Sequence, residues 1–119
     1  IENMTGVEHL EELIPYCDYI VIARGDLGNV MPLSELPKVQ AYIAKVCKEH
    51  NKNFMVVTQM LDSMIRNPYP TRAEVNDIYH AVHQGANALM LTGETAHGRY
   101  PVEAMKMLVE TANGSLEEL

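Results

Sequence analysis

Tyr19-Ile20-Val21-Ile22-Ala23 is a continuous apolar run that stops abruptly at Arg24-Gly25-Asp26-Leu27-Gly28. Two more runs repeat the pattern. Phe54-Met55-Val56-Val57 leads into Thr58-Gln59-Met60-Leu61, and Ala88-Leu89-Met90-Leu91 leads into Thr92-Gly93-Glu94-Thr95. The spacing is 35 residues from Ile20 to Met55 and 34 from Met55 to Leu89. Continuous rather than alternating apolar runs are how strands buried on both faces read. Helical patterns fill the intervals. Thr5-Gly6-Val7-Glu8 is a capping box ahead of Leu10, Leu13 and Ile14. Ser34 is the expected cap of a second helix, with Pro37 in its first turn and Leu36, Val39, Ile43 and Val46 on one face. Thr71-Arg72-Ala73-Glu74 is another capping box, above Val75, Ile78 and Val82, and Gly85 suits the left-handed end of that helix. Pro101 opens a last helix carrying Val102, Met105, Leu108 and Val109, and Asn113-Gly114-Ser115 reads as a frayed tail.

Three successive strand–helix units predict an α/β fold with a parallel sheet and right-handed crossovers. A small open sheet and part of a (β/α)8 barrel both fit. A whole barrel takes about 250 residues, so the 119 residues here hold roughly three units of eight. In both architectures chemistry gathers at the C-terminal ends of strands. Glu2, ahead of the first helix, and Asp26, after the first run, are carboxylates from neighbouring strand ends. Such a pair suits Mg²⁺, which takes a few carboxylates together with substrate oxygens and water; the plainer reading of each is a turn or capping acid. Gly25 and Gly28 let backbone N–H groups approach an anion closely, or simply make a turn. Thr58 offers a hydroxyl to a substrate, or a helix cap.

The remaining features exclude rather than assign. The chain carries 9 Lys+Arg against 16 Asp+Glu, a net charge of −7, with 47% apolar and 21% charged residues. That is the composition of a globular protein, and its acidity argues against nucleic acid or an anionic membrane surface as a partner. No apolar run approaches a membrane span, and no leader pattern opens the chain, so a cytoplasmic location is expected. Cys17 and Cys47 are too few for a disulfide scaffold and read as buried free thiols. His80 and His83 lie one turn apart without a third ligand, and the eight methionines read as core filler.

In order along the chain, these stretches resemble pyruvate kinase. The match runs through Ile1-Glu2-Asn3, Ala23-Arg24-Gly25-Asp26-Leu27-Gly28 and Thr58-Gln59-Met60-Leu61 with Ser63-Met64-Ile65. It continues through Pro70-Thr71-Arg72-Ala73-Glu74 and Met90-Leu91-Thr92-Gly93-Glu94-Thr95-Ala96, with Gly98 and Tyr100-Pro101. It covers residues 1 to about 112, leaving 113–119 as the tail. The resemblance implies a segment of a (β/α)8 (TIM) barrel, strands six to eight, from a glycolytic enzyme that moves the phosphoryl group of phosphoenolpyruvate to ADP, giving pyruvate and ATP. It implies Glu2 and Asp26 as ligands of Mg²⁺ (or Mn²⁺), K⁺ as a second cation, and Ala23, Gly25, Asp26 and Thr58 as the substrate-binding residues. Thr58 is also the implied catalytic residue, over the enolate carbon that is protonated, and Arg72 would lie near the contact between barrels of a homotetramer. Val30 stands where the family usually has an acid, Thr92 where serine is usual, and His97 where lysine or a small residue is common. The family's catalytic lysine, directly ahead of Ile-Glu-Asn, is not among these residues, so the 119 residues alone are expected to be inactive. Two other readings follow from the residues. One is a non-catalytic assembly module, since three strands leave open edges that favour self-association. The other is a different metal-dependent enolate enzyme, supported only by Glu2 and Asp26.

Overall fold

The computed structural model describes residues 1–118; Leu119, at the end of the expected tail, lies outside the described residues. The chain forms two compact units, residues 1–57 with 84–89, and residues 58–83 with 90–119.

The first unit is built on a three-stranded sheet in the order β1-β2-β3: β1 (Tyr19–Ala23), β2 (Asn53–Val57) and β3 (Ala88–Met90). The strands fall on the three apolar runs. β1 and β2 pair in parallel, in a register from Tyr19 opposite Asn53 to Ala23 opposite Val57. Asn87 fastens the approach to β3: its N–H donates to the Phe54 carbonyl at 2.9 Å, and its Oδ1 accepts from the Phe54 N–H at 3.1 Å. Burial alternates along β1 and β2 and does not cover both faces as the continuous runs suggested: Ile20, Ile22, Phe54 and Val56 are buried on one face, while Tyr19 is exposed and Val21 and Met55 are half-buried on the other.

The helices of this unit depart from expectation at their starts. α1 (Met4–Glu8) is capped by Asn3, whose side chain accepts from the Gly6 N–H at 2.9 Å, and not by Thr5. Asn3 is extended at φ −150°, the geometry an N-cap needs, and it lies two residues ahead of the expected position. α2 (Leu10–Leu13) follows, and Pro15 carries the chain into a single tight turn, Ile14–Tyr16. A short helix absent from the sequence reading, α3 (Arg24–Val30), starts directly from β1. α4 (Leu36–Glu49) has Pro37 in its first turn as expected, but Ser34 falls in the preceding 3₁₀ turn and does not cap it. Ile43, Ala44, Val46 and Cys47 form its buried face. Gly85 takes φ +93°, a conformation that favours glycine; a Cβ there would meet only the end of the Lys48 side chain, which can swing aside.

The second unit is helical. α5 (Arg72–His83) buries Ile78, Ala81 and Val82. α6 (Gly93–Ala96) is one turn, and α7 (Pro101–Leu116) packs against α5 and α6. α7 differs from its reading twice. It runs unbroken through Asn113-Gly114-Ser115, where fraying was expected; Ser115 is buried, and its hydroxyl donates to the Thr111 carbonyl at 2.7 Å. The expected apolar face is also split. Ala104 and Leu108 are buried, while Val102, Met105 and Val109 line a shallow apolar groove on the other side.

Candidate functional site

In the first unit, the candidate metal ligands sit at one end of β1. The Ile1 nitrogen donates to the Val21 carbonyl at 2.7 Å, and the Ala23 N–H donates to the Ile1 carbonyl at 3.1 Å. One residue bonded to two partners two positions apart is the parallel ladder pattern. Ile1 thus runs alongside β1, and Glu2 emerges where β1 ends, as expected of a strand-end acid. Asp26 follows Ala23 by three residues, in the first turn of α3, where a carboxylate is favourable to the helix. Leu27 beside it is completely buried and anchors the short helix, and both Glu2 and Asp26 are exposed. The Arg24 Nε donates to the Val57 carbonyl at 3.2 Å, tying the start of α3 to the last residue of β2.

The donor set decides which ion fits. Among the described residues, no group of three His, Cys, Asp or Glu side chains is placed to hold a metal. A structural zinc centre would need four protein ligands. Two exposed carboxylates at one strand end instead fit Mg²⁺ or Mn²⁺, whose remaining positions go to water and substrate oxygens.

The second unit holds Thr58, the residue directly after β2. Thr58 and Gln59 have φ +80° and +57°. For a β-branched residue this is a genuine outlier, and each such residue costs about 1–3 kcal/mol. The side chains that follow pin the turn: Met60 and Leu61 are completely buried and Met64 almost so. Glu94, in α6, is 1% exposed. Its Oε2 accepts from the Leu61 N–H at 2.9 Å and its Oε1 from the Thr92 N–H at 3.0 Å, with the Thr92 hydroxyl at 3.4 Å. Glu74 holds the next turn. It accepts from the Ser63 N–H and hydroxyl at 2.8 and 2.5 Å and from the Thr71 N–H at 2.8 Å, while its own N–H donates to the Thr71 Oγ1 at 3.1 Å. The capping box read from Thr71 and Glu74 is therefore present, and it reaches further than expected, to Ser63.

Sequence reasoning singled out the Thr92–Thr95 turn but missed Glu94 as its anchor. Periodicity says nothing about an acid that turns inward from a four-residue helix. The histidines carry no site: His83 stacks on Tyr79 with ring centres 4.1 Å apart, and both His80 and His83 are exposed. Cys47 is buried, as expected, and burial together with the neighbouring Cys17 pushes its thiol up to about 11; Cys17 is only half-buried.

The order of strand ends, the exposed acid pair and the Thr58 turn can be set against known proteins. The family model for the pyruvate kinase barrel domain matches residues 1–105. The chain belongs to the pyruvate kinase family. It is 50% identical over 119 residues to the pyruvate kinase of Thermotoga maritima, covering 100% of this chain and 26% of that protein. It is 50% identical over 108 residues to that of Chlamydia muridarum, covering 91% of this chain and 22% of that protein. A crystal structure of a pyruvate kinase from Cryptosporidium parvum superposes with a TM-score of 0.97 at 35% identity, covering 100% of this chain and 24% of that one. The chain thus spans about a quarter of the length of these pyruvate kinases.

Proposed function

We propose that these 119 residues supply the metal-bearing rim of a pyruvate kinase barrel, as its strands six to eight, and serve the transfer of a phosphoryl group from phosphoenolpyruvate to ADP. The observation that carries this reading is the pairing of Ile1 with β1, which brings Glu2 out at the end from which Asp26 also rises. Glu2 and Asp26 would hold the divalent ion. Held there, it would supply positive charge to offset that of the substrate phosphate. The N–H groups of Gly25 and Asp26, in the first turn of α3, have no partner within their own helix and would receive the substrate carboxylate, with Ala23 completing the wall. The Thr58 hydroxyl would face the enolate carbon. K⁺, the nucleotide contacts and a cationic group for the migrating phosphoryl come, on this reading, from outside the 119 residues, as does the homotetramer that Arg72 would adjoin. The setting is cytoplasmic glycolysis.

The test is a graft. The matching 119 residues of the Thermotoga maritima pyruvate kinase are replaced by this chain, and pyruvate formation is followed with phosphoenolpyruvate, ADP, Mg²⁺ and K⁺. Turnover by the graft and none by the 119 residues alone is the expected pair of results. Enzyme-like turnover by the 119 residues alone would overturn the division of labour. An inert but folded graft would overturn the assignment.

A further inference from the structure

A carboxylate is among the costliest groups to bury, and it persists inside a protein only where donors replace water. Glu94 is buried, and each of its oxygens holds a different turn: Oε2 the Leu61 N–H, Oε1 the Thr92 N–H. The Leu61 turn is the one in which Thr58 and Gln59 hold left-handed backbone. Strain of that kind survives only when the surroundings over-determine it. The buried side chains of Met60 and Leu61 pin the turn from one direction, and Glu94 pins its backbone. A leucine could fill the same volume with no charge to desolvate. What it could not do is bind two amide groups from separate turns at once.

We propose that Glu94 is a positioning residue: its buried carboxylate clamps the Leu61 and Thr92 amides together and thereby holds Thr58 in the left-handed conformation that presents its hydroxyl to the substrate. This rests on the reading of Thr58 given above. An amide in place of the carboxylate offers one acceptor and turns an NH₂ group toward the other N–H, so one of the two turns is released. Glu94→Asp keeps the charge but is one methylene too short to reach both.

The test uses the grafted Thermotoga enzyme, with Glu94→Gln, Glu94→Asp, Thr58→Ala and Thr58→Ala/Glu94→Gln. For Glu94→Gln the expected result is a kcat lower by about 10- to 100-fold, the cost of a slightly misplaced reacting group, with KM for phosphoenolpyruvate within about twofold. In the Thr58→Ala background the same change should cost less than about twofold more, because residues acting through one another are not additive. Amide hydrogen exchange at Leu61 and Thr92 should quicken. An undiminished kcat, an equal penalty with and without Thr58, or unchanged exchange at both amides would each overturn the proposal. If Glu94→Gln does not fold, Glu94→Asp is judged by the same criteria. Full kcat in Thr58→Ala would defeat the reading of Thr58 itself. It would take the positioning role with it, and faster exchange would then mark Glu94 as a structural clamp only.

Discussion

Replacing Glu74 by alanine removes a junction, not one contact. The carboxylate takes three hydrogen bonds, from the Ser63 N–H, the Ser63 hydroxyl and the Thr71 N–H. Burial pushes its carboxyl up, but the Ser63 hydroxyl and N–H, with the Thr71 groups behind them, pull it down by more, and it ends below its ordinary value of 4.5. Thr71 is exposed, so water replaces the capping bonds at a cost of about 1 kcal/mol. Ser63 is half-buried, and losing bonds to a charged acceptor there costs about 1.5–3 kcal/mol. Glu74→Ala should therefore lose about 2.5–4 kcal/mol, or a Tm lower by about 10–16 °C at near 4 °C per kcal/mol. The sign with pH is fixed by the direction of the shift. A carboxyl held below its unfolded value contributes fully above about pH 4.5, and the contribution is lost as pH falls through the folded value. Urea and thermal unfolding of wild type and Glu74→Ala, at matched protein concentration at pH 7 and pH 3, should show the gap narrowing in acid. A gap below about 0.5 kcal/mol at pH 7, or one that does not change between the two pH values, would refute this reasoning.

Other expectations follow from single features. Gly98→Ala would set a Cβ 2.4 Å from the Glu94 carbonyl oxygen, against backbone that cannot swing aside, so it should lower the soluble folded yield more than Gly114→Ala, whose Cβ meets nothing within 4 Å. Gly85→Ala places a Cβ at φ +93° and should cost more than about 1 kcal/mol in chemical unfolding. In thiol titration, half-buried Cys17 should react first and Cys47 only on unfolding, since its raised value leaves little thiolate at neutral pH. The exposed apolar stripe of Val102, Met105 and Val109, with the unclosed sheet, predicts that the 119 residues alone self-associate in sedimentation.

The strands were legible as continuous apolar runs, and all three appear where the runs stand, although burial within the chain falls mainly on one face of β1 and β2. Helix interiors were legible from apolar residues recurring at helical spacing: Ile43, Val46, Ile78 and Val82 are buried as read. Helix starts were less so. Asn3 and Thr5 are both good caps on paper, and the choice fell to the extended backbone that Ile1 acquires by pairing with β1. Ser34 lost its capping role because a 3₁₀ turn had already begun at Leu33. On α7, apolar residues at helical spacing read as one core face, yet spacing cannot tell which of two stripes is covered. The strand-end rule singled out Glu2, Asp26 and Thr58 as candidates. It could not supply Glu94, whose carboxylate bonds the Leu61 N–H 33 residues away in sequence, or the left-handed Thr58–Gln59 backbone, which no glycine marks.

If Glu2 and Asp26 form one divalent-cation site, Mn²⁺ binding to the grafted Thermotoga enzyme in the presence of phosphoenolpyruvate, followed by electron paramagnetic resonance, will report it. One tight Mn²⁺ per chain is expected in the unaltered graft, weakened at least about 100-fold in Glu2→Gln/Asp26→Asn. Equal Mn²⁺ affinity in a folded double variant would contradict it.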